Sequence, residues 1–258
     1  MRLFVSGIAP WRCERGVRRC RTVVGVRPSN GKAVLLALAL ATVLTGAASC
    51  EVSSTPGAAA PSSTSTTGSG GTASATKPPA GNPANATAAL DQLTVAAAGS
   101  MAGYSREKFT HWIGQGDGCD TRDVVLKRDG KGVKADAECK ITAGTWYSPY
   151  DDKTLTDAKA LDIDHMVPLA AGWRSGASKW TDEQRKQFAN DLTRPQLFAV
   201  SLQSNRSKGD QDPSTWKPPN KGYWCTYAQD WVTVKSFYKL TVTAAEKSAL
   251  TEMLATCK

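Results

Sequence analysis

Leu161-Asp162-Ile163-Asp164-His165-Met166-Val167-Pro168-Leu169 sets a carboxylate beside an imidazole at the end of a short apolar run. Together with Asn205-Arg206-Ser207-Lys208-Gly209-Asp210, this stretch decides the fold. Leu161–His165 reads as a strand, and Pro168 limits any helix running back towards it. Leu197–Val200 is a second short apolar run, and Ser201–Lys208 begins the helix that follows. Neighbours on a strand point to opposite faces, but at a strand end the backbone can turn both Asp164 and His165 towards one point.

Those residue types suit metal-assisted hydrolysis of a phosphodiester. A hard divalent ion wants oxygen ligands, and an attacking water wants a base. Asp164 would supply an anionic oxygen and Asn205 an amide oxygen from the helix. His165, neutral near pH 7, would take the proton of the water. Lys208 lies one turn beyond Asn205 on the same helix face, where it could hold the phosphate or help place the helix. Arg206 is a second candidate for phosphate contact. The chain has only two histidines, and the other, His111 beside Trp112, reads as structural. Asp117, Asp120, Arg122 and Asp123 form a polar loop around Cys119 that either bounds the cleft or is simply solvated. Arg122 is its candidate substrate-binding member.

The formal net charge of +9 resembles a nucleic-acid footprint. Most of it belongs to residues 1–50, where Arg2, Arg12, Arg15, Arg18, Arg19, Arg21, Arg27 and Lys32 stand against Glu14. The remainder is nearly neutral, so charge neither establishes nor excludes a nucleic-acid partner. Residues 1–50 read as an export signal: a basic stretch to Lys32, an apolar run from Ala33 to Leu44, then small residues. That run is too short for a comfortable membrane span. A cut near Ala48 would release the protein to the exterior. Alternatively Cys50, after Ala47-Ala48-Ser49, would accept lipid and anchor it to the cell envelope. Residues 51–86 are almost entirely Ser, Thr, Ala, Gly and Pro and read as a disordered tether.

Residues 87–258 are the folded domain. Cys119, Cys139, Cys225 and Cys257 in an exported domain suggest two disulfides. Of the three pairings, Cys119–Cys139 and Cys225–Cys257 are favoured because each is local. A four-cysteine zinc site is the rival, but no pair has close CxxC spacing. Ala88–Ala98 reads as a helix, and Ser105 as the cap of a short helix carrying Phe109, Trp112 and Ile113. Val124-Val125-Leu126 and Ile141–Tyr147 read as strands. Thr181-x-x-Gln184 and Thr243-x-x-Glu246 are capping boxes that open helices, the first running to Leu192. The class is α+β, with small sheets and several helices.

The order Asp-His-x-x-Pro-Leu, a short apolar strand, then Asn-x-x-Lys-Gly resembles an HNH endonuclease. More narrowly, it is similar to exported bacterial HNH-family proteins related to the C-terminal domain of GmrSD-type restriction enzymes. Tyr104-Ser105-Arg106, Gly118-Cys119-Asp120-Thr121-Arg122, Ser148-Pro149-Tyr150, Ala189-Asn190-Asp191-Leu192 and Trp224-Cys225-x-Tyr227 extend the likeness over residues 104–258. The resemblance implies a ββα-metal core gripping one divalent cation, magnesium or manganese. In it His165 is the general base, and Asp164 and Asn205 hold the metal. Usual spacing puts the motif's middle amide at Gln196, with Asn190 the nearby alternative; either could orient His165. Where many relatives carry zinc cysteines this chain has Ser201 and Ser204, so no structural zinc is expected.

The activity implied is metal-dependent endonuclease cleavage of DNA with little sequence preference, leaving 5′-phosphate ends. RNA is a second candidate substrate, and no obligate protein partner is expected. Two other readings stand: a cell-surface binding module that kept the scaffold without turnover, and a hydrolase of another phosphodiester such as a wall polymer.

Overall fold

The computed structural model describes residues 83–258. The export signal, the lipid-acceptor reading of Cys50 and the tether up to residue 82 lie outside the described residues. In chain order the elements are α1 (Pro83–Gln92), β1 (Gly114–Gly116), β2 (Cys119–Asp120), α2 (Thr121–Asp129), β3 (Gly130–Ala135), β4 (Ile141–Ser148), β5 (Lys153–Leu155), β6 (Leu161–His165), α3 (Leu169–Arg174), α4 (Asp182–Ala189), β7 (Leu197–Ser201), α5 (Leu202–Lys208), α6 (Trp224–Phe237) and α7 (Ala244–Leu254). Single 3-10 turns sit at Arg106–Lys108, Ala158–Ala160, Ala177–Lys179 and Lys221–Tyr223. The class is mixed α+β, as the sequence indicates.

Three small antiparallel sheets form among the described residues: β1-β2, β3-β4-β5 and β6-β7. The last matters most. Leu161 pairs with Ser201, Ile163 with Ala199, Asp164 with Phe198 and His165 with Leu197. Both faces of β7 are covered. Leu197 and Ala199 pack with Leu161, Ile163, Val125, Leu126 and Trp146 in one apolar cluster. Phe198 and Val200 join Phe188, Tyr227, Trp231 and Leu250 in a larger one. A strand buried on both sides has no polar face to display, which is why 197–200 reads as an unbroken apolar run. Ser201 ends β7 and caps α5 by accepting from the Ser204 N–H. Strand, strand and helix therefore follow one another as β6, β7 and α5, with α3 and α4 inserted between the strands.

Several local readings of the sequence need correction. Val124-Val125-Leu126 is helical, within α2, and not a strand. Asp120 accepts from the Asp123 N–H while the Asp123 side chain accepts from the Asp120 N–H. This reciprocal cap and the burial of Val125 and Leu126 outweigh the strand preference of two β-branched residues. The first helix spans 83–92, not 88–98, and Val95 beyond it bridges to Val242. Ala86, within this helix, already belongs to the core. Ser105 makes no side-chain cap, and only a single turn, Arg106–Lys108, follows it.

The disulfides are Cys119–Cys139 and Cys225–Cys257, the favoured pairing. The first ties the entry of α2 to the β3-β4 turn, and the second ties the start of α6 to the chain end beyond α7. Each closes a loop worth roughly 3 kcal/mol by chain entropy. Both expected capping boxes are present, at Thr181/Gln184 and Thr243/Glu246. The helix opened by the first box stops at Ala189, before Leu192, because Asp191 turns the chain by accepting from the Thr193 and Arg194 N–H groups.

Candidate active site

At the C-terminal end of β6 a cleft of about 300 Å³ opens, lined by Asp164, His165, Asn205 and Arg206. Asp164 and His165 share it although they are strand neighbours, because His165 is the last residue of β6 and Pro168 redirects the chain. Tyr104, Arg106 and Asp210 also line it.

The His165 ring is nearly buried, at 5% exposure. Its Nε2 lies 2.9 Å from the Ala189 carbonyl oxygen. A carbonyl can only accept, so Nε2 carries the proton. Burial, the largest influence, pushes the imidazolium down to a pKa of about 3, against the pull of that carbonyl. The positive charges of Arg106 and Lys208 act in the same direction as burial. The ring is therefore neutral at pH 7, in one tautomer, and its Nδ1 lone pair makes no hydrogen bond among the described residues. Trp112 packs against the ring at 5.5 Å between centroids.

Asp164 is held as firmly. Its Oδ2 accepts from the Tyr150 hydroxyl at 2.5 Å and from Lys208 Nζ at 2.6 Å. Burial raises the carboxyl above its ordinary range, and the Lys208 ammonium and Tyr150 hydroxyl oppose that rise. Lys208 is fully buried and spends its other two protons on the His165 and Met166 carbonyls, at 2.7 and 3.0 Å. Lys208 thus locks the end of β6 to α5 from inside. It does not line the cleft, which rules out the phosphate contact the sequence left open for it and supports the alternative, placement of the helix. Gly209 then ends α5 at φ +55° and ψ −129°, a conformation open to glycine.

Asn205 donates from Nδ2 to Asp162 Oδ2 at 3.1 Å. A carboxylate only accepts, so the amide orientation is fixed and Oδ1 is what Asn205 has left to offer. Asp164 Oδ1 and Asn205 Oδ1 make no hydrogen bond among the described residues. They are the hard oxygen donors of the cleft. Arg206 is exposed on the same helix.

Three other residues expected at the site fall elsewhere. Gln196 is fully buried and pairs both ways with the backbone of Val167, Oε1 accepting at 3.1 Å and Nε2 donating at 3.0 Å. Asn190 uses its whole hydrogen-bonding capacity on Ile113, Thr121, Thr110 and Lys186. Neither amide orients His165; the Ala189 carbonyl does. Asn190 acts one step back, by fixing the residue next to Ala189. Arg122 donates to the Ala158 and Leu161 carbonyls at the opposite end of β6, so it braces the strand and does not line the cleft. A backbone carbonyl carries no sequence signal, and Tyr150 was legible only as part of Ser148-Pro149-Tyr150. All four cysteines of the described residues are in disulfides.

Residues 120–253 match the family described as GmrSD restriction endonucleases, C-terminal domain. A protein of the fungus Arthroderma benhamiae, described as an uncharacterized secreted protein, is 55% identical over 172 residues, covering 67% of this chain and 84% of that protein. A fungal relative gives no support to a specifically bacterial origin. No solved structure matches the chain. The likeness spans β6, β7 and α5 together with α2, α3, α4 and α6, and the chain belongs to the family of the GmrSD restriction endonuclease C-terminal domain.

Proposed function

We propose that this chain is an exported, metal-dependent endonuclease that hydrolyses DNA phosphodiester bonds with little sequence preference at the His165 cleft. One observation carries the proposal: an imidazole of fixed tautomer, its Nδ1 unengaged among the described residues, shares a cleft with Asp164 and Asn205, each of which has an oxygen unengaged there. Membership in a restriction-endonuclease domain family supports the reaction class. The disulfides and a secreted relative support an extracellular location, and lipid anchoring at Cys50 remains part of the proposal only.

The donor set fits a hard divalent ion. Among the described residues no group of three or more His, Cys, Asp or Glu side chains could hold a metal. In this reading Asp164 Oδ1 and Asn205 Oδ1 would hold it, leaving other positions to water and substrate. That is the binding style of magnesium, which keeps several waters and uses one or two carboxylates plus phosphate oxygens. When bound, such an ion supplies charge stabilisation on a phosphoryl oxygen and the leaving oxygen.

The rest is done by the protein. His165 Nδ1 accepts the proton of the attacking water as its oxygen approaches phosphorus. The Ala189 carbonyl, facing Nε2–H, stabilises the imidazolium that forms. Lys208 and Tyr150 fix the Asp164 carboxylate, so its second oxygen is presented without reorganisation. Asp162 does the same for Asn205. Arg206, exposed on the cleft wall, is the proposed contact for flanking phosphate.

The test uses the full chain with supercoiled plasmid. Nicked circles should appear with magnesium or manganese and vanish with a chelator. An inactive wild type on DNA and RNA, with either metal, would return the chain to the binding-module reading. Activity confined to another phosphodiester polymer would redirect the substrate assignment.

A further inference from the structure

Two cleft residues come from outside the family-matched span of 120–253: Tyr104 and Arg106. Arg106 opens the 3-10 turn at Arg106–Lys108. Its Nε donates to His111 Nε2 at 3.3 Å, and His111 Nδ1 lies 2.8 Å from the Phe109 carbonyl oxygen. A guanidinium only donates and a carbonyl only accepts, so these two partners select one neutral tautomer of His111, protonated at Nδ1. The strut is anchored further on: His111 packs edge-on against Trp112, and Trp112 lies against the His165 ring.

The far end of the guanidinium, Nη1 and Nη2, makes no hydrogen bond or ion pair among the described residues. Asp210, a carboxylate on the cleft lining, is already paired, with Arg174 at 2.6 Å. Arg106 is thus an exposed guanidinium held by its neck, on a residue that lines the cleft containing the proposed base. Its charge also disfavours a proton on His165, behind burial in size. A fixed fork of that kind suits two oxygens of one phosphate. Arg206, by contrast, has no comparable strut among the described residues.

We propose that Arg106 grips the substrate's phosphate in this cleft, with His111 as its positioning residue. The assignment rests on the hydrolase reading above and adds to it the group that recognises the phosphodiester, along with a role for the second histidine. It also means that the segment before residue 120 completes the site.

The experiment measures magnesium-dependent cleavage of a labelled DNA duplex by the full chain and four variants, with melting temperatures alongside. Arg106→Met should lose about 100-fold in kcat/KM, the scale of removing one preorganised charge-stabilising donor. Arg106→Lys keeps charge without the fork and should fall in between. His111→Phe should lose about 10-fold, as supporting partners do, and His111→Gln, which restores an acceptor for Nε, should recover most of it. A phosphate contact has its own signature: the log–log salt dependence of duplex binding should be shallower by about one in Arg106→Met. Wild-type cleavage with Arg106→Met within about twofold of it overturns this assignment and leaves the hydrolase reading standing. Should Arg106→Met fail to fold, full activity in Arg106→Lys overturns it equally. A wild type silent on DNA, RNA and bis(p-nitrophenyl) phosphate overturns both.

Discussion

Lys208→Met is the most informative perturbation of the fold that supports the site. Met matches the length of the lysine stem but removes the ammonium. Three contacts go at once, to Asp164 Oδ2 at 2.6 Å, the His165 carbonyl at 2.7 Å and the Met166 carbonyl at 3.0 Å. Asp164, 4% exposed, keeps only the Tyr150 hydroxyl against its charge. Removing one partner of a buried pair costs about 3–5 kcal/mol, a large fraction of the roughly 5–15 kcal/mol that holds a domain together. For a domain of this size that is a fall of roughly 10 °C in melting temperature. Urea unfolding with disulfides intact would read it directly. The loss should shrink as pH falls, because without Lys208 burial pushes the Asp164 carboxyl further up and protonation then relieves the folded state. Asp164→Asn combined with Lys208→Met should be less costly than the two single losses added, since no buried charge is left alone. A cost under about 0.5 kcal/mol, typical of a surface substitution, would refute the buried lock.

Other expectations concern neighbouring groups. His165 titrates at about 3 when folded and near 6.5 when unfolded, so the unfolded chain binds more protons between those values. Stability from this group is therefore full above pH ~6.5 and lost as pH falls towards ~3, by at most about 5 kcal/mol. His165→Gln should accordingly lose less stability than wild type between pH 7 and about 4.5 in urea titrations; an identical loss would contradict the buried neutral ring. Asn190→Ala removes two donors and a shared acceptor that bind the 110–121 segment to α4, and should cost about 2–3 kcal/mol in the same assay. Arg122→Ala should lower stability yet leave KM for DNA within about twofold, because its Nη2 is bound to the Ala158 and Leu161 carbonyls away from the cleft; a large rise in KM would restore it to the substrate path.

The part of the chain that forms the site was largely legible. A short strand ending in Asp164-His165, a doubly buried apolar strand and a capped helix bearing Asn205 each leave a local pattern, and the structure joins them as β6, β7 and α5. The local disulfide pairing and both capping boxes were legible for the same reason. What escaped depends on distant partners. For Lys208 the sequence left phosphate contact and helix placement open, and only its burial beneath Asp164 decides for the second. Gln196 falls at the motif's spacing, yet its amide goes to Val167, and the contact on His165 is a backbone carbonyl that no residue type announces. The 14-residue α6 was missed because Thr226, Val232, Thr233 and Val234 favour strands, while burial of Tyr227, Trp231 and Val234 decides for helix.

The step on which the proposed reaction turns is proton transfer from the attacking water to His165 Nδ1. Single-turnover cleavage of a labelled duplex at saturating magnesium, comparing wild type with His165→Ala, addresses it most directly. The expected result is a fall of about 10²–10⁴ in the cleavage step, the contribution of a positioned general base, with duplex affinity retained. Cleavage at an undiminished rate by folded His165→Ala would contradict it.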